Sequence, residues 1–233
     1  MTLIIITYQS AIERKVDGII LAAPRINDYV IYQLNEYIPL VIVDRSVPND
    51  DILQVYVDNL KWAIEAVEHL IKLGHKRIGF ILGPRDVLNS LRREEGYCEA
   101  LKKHHIPIDQ NLIITGDFHY QSGYESFDSF MKIEPMPTAI FTSNDLMAFG
   151  LIQRSRERGF HIPDDFSMVG FDDILLSALI NPPLTTIRHP KLEMGTKAVV
   201  LLLDQFDKKE EKQVANSLKN TLVVRKSIKP IKE

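Results

Sequence analysis

The stretch Asp58–Pro84, "DNLKWAIEAVEHLIKLGHKRIGFILGP", contains one complete change of hydrophobic period. Asp58 stands where a helix N-cap belongs, apolar residues in "AIEAVEHLIKLG" recur at helical spacing, and Gly74 supplies the stop. The following run Arg77–Leu82, "RIGFIL", is short and almost unbroken in apolar character, as a parallel strand covered on both faces requires.

The same unit repeats outward in both directions. Strand-like runs occur at Leu3–Thr7, Gly18–Ala22, Leu40–Asp44, Leu112–Gly116, Thr138–Ser143 and Ser167–Asp172. Helix-period segments lie between them at Asn27–Glu36, Asp58–Leu73, Arg92–His104, Gln121–Lys132 and Asp145–Arg158, the last bracketed by Asp145 as N-cap and Gly159 as stop. Regular alternation of this kind predicts an α/β fold with parallel, doubly wound sheets. The tail departs from the rhythm: "NPPLTTIRHP" is extended, "KLEMGTKAVVLLLDQF" is helical and "TLVVRKSI" is a final strand. That order suggests a chain that crosses back to a first lobe and then returns.

The 233 residues carry 28 Lys and Arg against 31 Asp and Glu, a net charge of −3. No clustered cationic surface for a sequence-independent grip on DNA or for an anionic membrane follows from that balance. One cysteine, Cys98, excludes an internal disulfide and a Cys-based zinc cage, and its helical, apolar surroundings predict an inert thiol. The start "MTLIIITYQ" has no basic segment and too short an apolar run for a leader or a span, so the expected location is the cytoplasm. There is no G-x-S-x-G, phosphate-loop or H-E-x-x-H motif, and the seven histidines have poor ligand spacing. No catalysis, metal or cofactor is expected.

In an open parallel sheet, ligands bind outside the carboxyl ends of the strands. Three predicted strands end there in Asp44, Asn144 and Asp172, while Arg93 and Phe118 follow two others. Carboxylates accept from hydroxyls, the carboxamide donates and accepts, and Arg donates in a fixed fork. With an aromatic face beside them, they suit a neutral polyhydroxylated ligand better than a phosphate. Each residue alone has a plainer role: strand-end Asp and Asn as caps or turn residues, Phe118 as core, Arg93 as a helix-start ion pair. On that last reading Arg93→Ala costs no more than about 0.5 kcal/mol of stability.

Further motifs run in order from Lys15 to the last strand: "KVDGIIL", "IPLVIVDR", "HLIKLGHKRIGFI", "RREEGYCEAL", "SNDLMAFG", "SMVGFDD" and "PPLTTIRHP". Together they resemble the regulatory core of the LacI/GalR family of transcription regulators. The resemblance implies a two-lobed periplasmic-binding-protein-like fold, with residues 1–57 plus 189–215 as the first lobe and 58–188 plus 216–233 as the second. It implies a small-molecule effector in the interlobe cleft, contacted by Asp44, Asn89, Arg93, Phe118, Asn144, Asp172 and His189. Five of those seven are the residues that the strand ends already single out.

Arg93 and Asp172 would grip polar groups and Phe118 would stack, while the amide of Asn144 favours a sugar over a purine. Lobe closure in a homodimer would then move DNA-reading heads. The family's helix-turn-helix is not among these residues, and the first lobe looks short before "KVDGIIL". Operator DNA is therefore expected to be reached only through a domain outside this chain. Trp62 replaces a residue that is often Gly in the family. Three rivals share parts of the pattern: a solute-binding protein of a transporter, a regulator answering to a protein corepressor, and a glycosidase using Asp44 and Asp172 as an acid/base pair.

Overall fold

The computed structural model describes residues 16–49, 51–207 and 215–231. The expected strand Leu3–Thr7 lies outside them. The chain divides into two compact units, Met1–Asp58 with Pro190–Lys219 and Asn59–His189 with Asn220–Glu233. His189, expected in the first lobe, falls in the second unit, whereas Asp58 and residues 216–219, expected in the second, fall in the first.

The first unit is built on a four-stranded parallel sheet in the order β1 (Ile19–Leu21), β2 (Leu40–Val43), β3 (Leu53–Val57), β9 (Ala215–Leu218). Successive residues of β2 face opposite sides. Leu40 and Ile42 join Ile31 and Leu34 of helix α1 (Asp28–Tyr37), while Val41 joins Met194, Ala198 and Leu201 of helix α7 (Lys191–Phe206). Helix α1 starts on Asn27, whose side chain accepts from the Tyr29 amide at 2.8 Å.

Strand β3 was not among the expected strands. Its polar residue, Gln54, breaks the apolar run, yet it is buried and has a structural use. Its side chain accepts from the Val47 amide at 2.9 Å and donates to the Val47 carbonyl at 3.2 Å, tying down the loop between β2 and β3. A buried amide satisfied in this way carries little penalty.

The second unit has a six-stranded sheet in the order β10 (Thr221–Val223), β8 (Thr185–Arg188), β7 (Ser167–Asp172), β6 (Ala139–Thr142), β4 (Ile78–Leu82), β5 (Ile113–Thr115). Only the β10–β8 pairing is antiparallel. Phe80, Phe141 and Phe171 face helices α2 (Asn59–Lys72) and α3 (Leu88–Lys103). Ile81, Ile140 and Met168 face α4 (Tyr120–Phe130) and α5 (Asp145–Glu157). A short helix, α6 (Leu176–Leu179), follows β7. Trp62 packs into the first of these cores, beside Tyr97 and Phe80. Helices α4 and α5 touch at backbone level: a Cβ on Gly123 would lie 1.9 Å from the Met147 carbonyl oxygen, and one on Gly150 would lie 2.0 Å from that of Tyr120.

Both glycines expected to stop helices adopt left-handed backbone, Gly74 at φ 92° and Gly159 at φ 82°. Helix α3 begins at Leu88, four residues earlier than the pattern around Arg92 suggests, because its N-cap Val87 has no capping side chain to mark the start. Cys98 is half-buried on this helix and burial pushes its thiol upward, consistent with an inert group. No helix among the described residues is long and apolar enough to cross a membrane.

Candidate functional site

The strand order of the second unit reverses around β4. The chain leaves β4 through α3 on one face of the sheet and leaves β6 through α5 on the other, although β4 and β6 are neighbours. Loops at the carboxyl ends of these two strands therefore diverge and leave a crevice between them, the position at which open α/β sheets bind ligands. The loops after β4, β5, β6 and β7 carry or adjoin Asn89, Arg93, Phe118, Asn144 and Asp172.

Arg93 occupies the centre of this edge. It lies in the second turn of α3, and only 4% of its surface is exposed. Its Nε donates to Asn59 Oδ1 at 2.9 Å, and its Nη1 donates to the Ser143 carbonyl. The guanidinium carbon lies 3.8 Å from the centroid of the Phe171 ring, and Nη2 lies 3.9 Å from an Asp172 carboxylate oxygen. The reading of Arg93 as an exposed helix-start ion pair is therefore corrected. Its neighbour Arg92 makes an exposed ion pair instead, with Glu95 at 2.7 Å.

The cap role expected of Asp145 falls to Asn144. Asn144 is the N-cap of α5: its Oδ1 accepts from the Met147 amide at 3.0 Å, while its Nδ2 donates to the Phe118 carbonyl at 2.8 Å. Asp145, expected as the cap, is instead fully buried. Its Oδ1 accepts from Thr186 Oγ1 at 2.6 Å, and its Oδ2 accepts from Ser177 Oγ at 2.6 Å and from the Ile174 amide at 3.0 Å. Burial raises its carboxyl to about 7 against these hydrogen bonds, with the nearby Asp172 charge adding to the rise.

Backbone strain collects at the same edge. Phe118 has φ 70°, Asp172 φ 111° and Asp173 φ 48°, conformations that residues with a Cβ adopt at a cost. The ring of Phe118 lies over Gly83, where a Cβ would sit 2.3 Å from its Cε1. Asp173 is tied to Arg188 at 2.6 Å and to Arg225 at 2.7 Å. Burial alone would raise its carboxyl, but these two guanidinium groups hold it below the usual carboxylate range. The His189 amide donates to the Asp172 carbonyl at 3.4 Å, placing His189 beside this turn.

Two further side chains here were not singled out by the sequence. The hydroxyls of Ser90 and Ser143 are buried and have no hydrogen-bond partner among the described residues. Ser90 adjoins Gly83, and Ser143 opens the "SNDLMAFG" motif just before Asn144. Asp44 belongs to the first unit. It follows β2 at φ 64°, and its amide donates to the Val55 carbonyl at 2.9 Å.

A protein-family model described as a periplasmic binding protein-like domain matches residues 67–228. The HTH-type transcriptional repressor CytR of Escherichia coli is 36% identical over 196 residues, which are 84% of this chain and 58% of the repressor. Among solved structures, a transcriptional regulator LacI from Bacillus cereus subsp. cytotoxis gives a TM-score of 0.90 at 32% identity, covering 97% of this chain and 81% of that one. A LacI family transcriptional regulator from Enterococcus faecium with bound ribose gives 0.87 at 30% identity, covering 97% and 84%. These relatives are transcription regulators and not enzymes, so the glycosidase reading falls. The chain belongs to the LacI family of transcriptional regulators, as the periplasmic-binding-protein-like core of such a regulator.

Proposed function

We propose that this chain is the sensing core of a transcriptional repressor and that it binds a small polyhydroxylated effector, a sugar. The effector site is the carboxyl-end edge of the second unit's sheet, with Asn89, Arg93, Phe118, Asn144, Asp172 and His189 as contacts. Asp44, at a strand end of the first unit, is proposed as a further contact. The observation that carries the reading is the strained turn at Asp172 beside the buried guanidinium of Arg93, set where the strand order reverses. A carboxylate and a guanidinium at hydrogen-bonding range of a hydroxyl-rich ligand recognise it through both donors and acceptors. The ribose held by the Enterococcus relative supports the carbohydrate class.

Effector binding is coupled to DNA reading by a domain of the longer protein, which acts in the cytoplasm as a homodimer. Coupling of this kind commonly amounts to ~1–3 kcal/mol.

The test is a thermal-shift screen of the chain against D-ribose, D-glucose, maltose, their phosphates and guanine. A sugar at a hundred times its dissociation constant stabilises by roughly 2.7 kcal/mol. The transition of a chain this size then rises by about 5–11 °C. A rise with guanine alone, or with none of the probes, would count against the carbohydrate reading.

A further inference from the structure

Asp172 holds a backbone conformation, φ 111°, that an aspartate does not adopt unaided, and Asp173 beside it is also left-handed. Strain of this kind persists only where the surroundings over-determine it. The surroundings here are specific. The buried carboxylate of Asp145 reaches from the first turn of α5 to three donors on the far side of that turn: the Ile174 amide, the Ser177 hydroxyl of α6 and the Thr186 hydroxyl of β8. Space for it exists because position 170 on β7 is glycine. A Cβ there would lie 2.3 Å from Asp145 Oδ1 and 3.3 Å from Thr186 Oγ1. Asp173 pins the outer side of the same turn through Arg188 and Arg225. Asp145 itself is fully buried, so it holds the turn without touching a ligand.

We propose that Asp145 is a positioning residue for the effector site: its three-donor clip holds the turn after β7 so that Asp172 is presented at the sheet edge. This rests on the reading of Asp172 as an effector contact. Affinity is then set partly by a residue that no ligand reaches, and loss of any one clip bond loosens the Asp172 turn before it unfolds the unit.

A matched pair of variants tests this. Thr186→Val removes one clip bond. Ser227→Ala removes a comparable buried hydroxyl at the other end of the same strands, where Ser227 Oγ accepts from the Thr185 amide at 2.8 Å and donates to the Met168 carbonyl at 2.6 Å. Two readouts are taken on wild type and both variants. One is amide exchange at Ile174, with backbone chemical shifts of Asp172 and Asp173. The other is the dissociation constant for D-ribose and for maltose.

The expected result is that Thr186→Val speeds Ile174 exchange at least tenfold, moves the Asp172 and Asp173 shifts away from left-handed values and weakens sugar binding at least tenfold. Ser227→Ala leaves all three unchanged despite a similar fall in melting temperature. Thr186→Ser, which restores the hydroxyl, returns them to wild-type values. If wild type binds neither sugar, the effector reading fails separately, and the exchange and shift data still decide whether Asp145 holds the turn. Equal changes in Thr186→Val and Ser227→Ala, or a loosened turn with unchanged affinity, would overturn the proposal.

Discussion

Replacing Arg93 by alanine lowers the melting temperature of the second unit by about 6–12 °C and abolishes sugar binding. The sequence alone predicts the loss of binding but a stability cost of no more than about 0.5 kcal/mol. The structure raises that cost, because Arg93 is 4% exposed and its guanidinium serves Asn59, the Ser143 carbonyl and the face of Phe171 at once. Removing it takes the Nε donor from Asn59 Oδ1 and a guanidinium from beside the Asp172 carboxylate. Breaking a buried charged pair by deleting one partner costs about 3–5 kcal/mol. Asp172 retains some exposure, so the lower end, ~3 kcal/mol, is the better figure, and at ~2–4 °C per kcal/mol it gives the stated shift.

Arg93→Lys separates the two effects. It keeps the charge and most of the packing but not the fork that reaches Asn59 and Ser143 together, so it melts closer to wild type while still losing affinity. Scanning calorimetry with and without sugar reads both quantities. An unchanged melting temperature in Arg93→Ala would mean that the side chain is exposed after all.

The second large effect is on pH dependence, through Asp145. Its carboxyl titrates at about 7 in the folded chain against an ordinary value near 3.8, with burial as the main cause. Between these values the folded state holds a proton that the unfolded chain has released, so stability falls as pH rises. The contribution is present in full below about pH 4, is lost progressively as pH climbs through 7, and is flat above. A separation of about three units corresponds to ~4 kcal/mol over the whole range.

Asp145→Asn keeps the shape, still accepts from Ile174 and can donate to a neighbouring hydroxyl, but carries no charge. Its melting temperature relative to wild type is therefore expected to rise with pH, by about 5–11 °C between pH 5 and pH 8. Parallel pH curves for the two proteins would show that Asp145 is ionised throughout, as its hydrogen bonds alone would favour.

Much of the fold could be read from period and punctuation, and the exceptions have local causes. Strand β3 was hidden by Gln54, a polar residue in a buried strand that makes sense only once its bonds to Val47 are seen. The start of α3 is hidden because Val87 offers no capping side chain, and the charged neighbours Arg92, Glu94 and Glu95 make Arg93 look exposed. In "SND", two cap-type residues stand side by side, and nothing local says which one caps. The partners of Asp145, Ser177 and Thr186, settle it, and they are 32 and 41 residues away along the chain.

The site shows the same division. Residue types at strand ends pointed to Asp44, Asn144 and Asp172, since any parallel sheet puts strand ends on one edge. The left-handed backbone of Phe118 and Asp172 could not be read, because neither is a residue type that announces it.

The measurement that bears most directly on the central claim is an amide chemical-shift map of the isotope-labelled chain titrated with D-ribose and maltose. The account predicts that a bound sugar perturbs the amides of Asn89, Arg93, Phe118, Asn144, Asp172 and His189 at the carboxyl edge of the second sheet, together with that of Asp44, and leaves the opposite edge near Ser227 unmoved. Saturable shifts confined to residues away from these strand ends, with this edge unchanged, would contradict it.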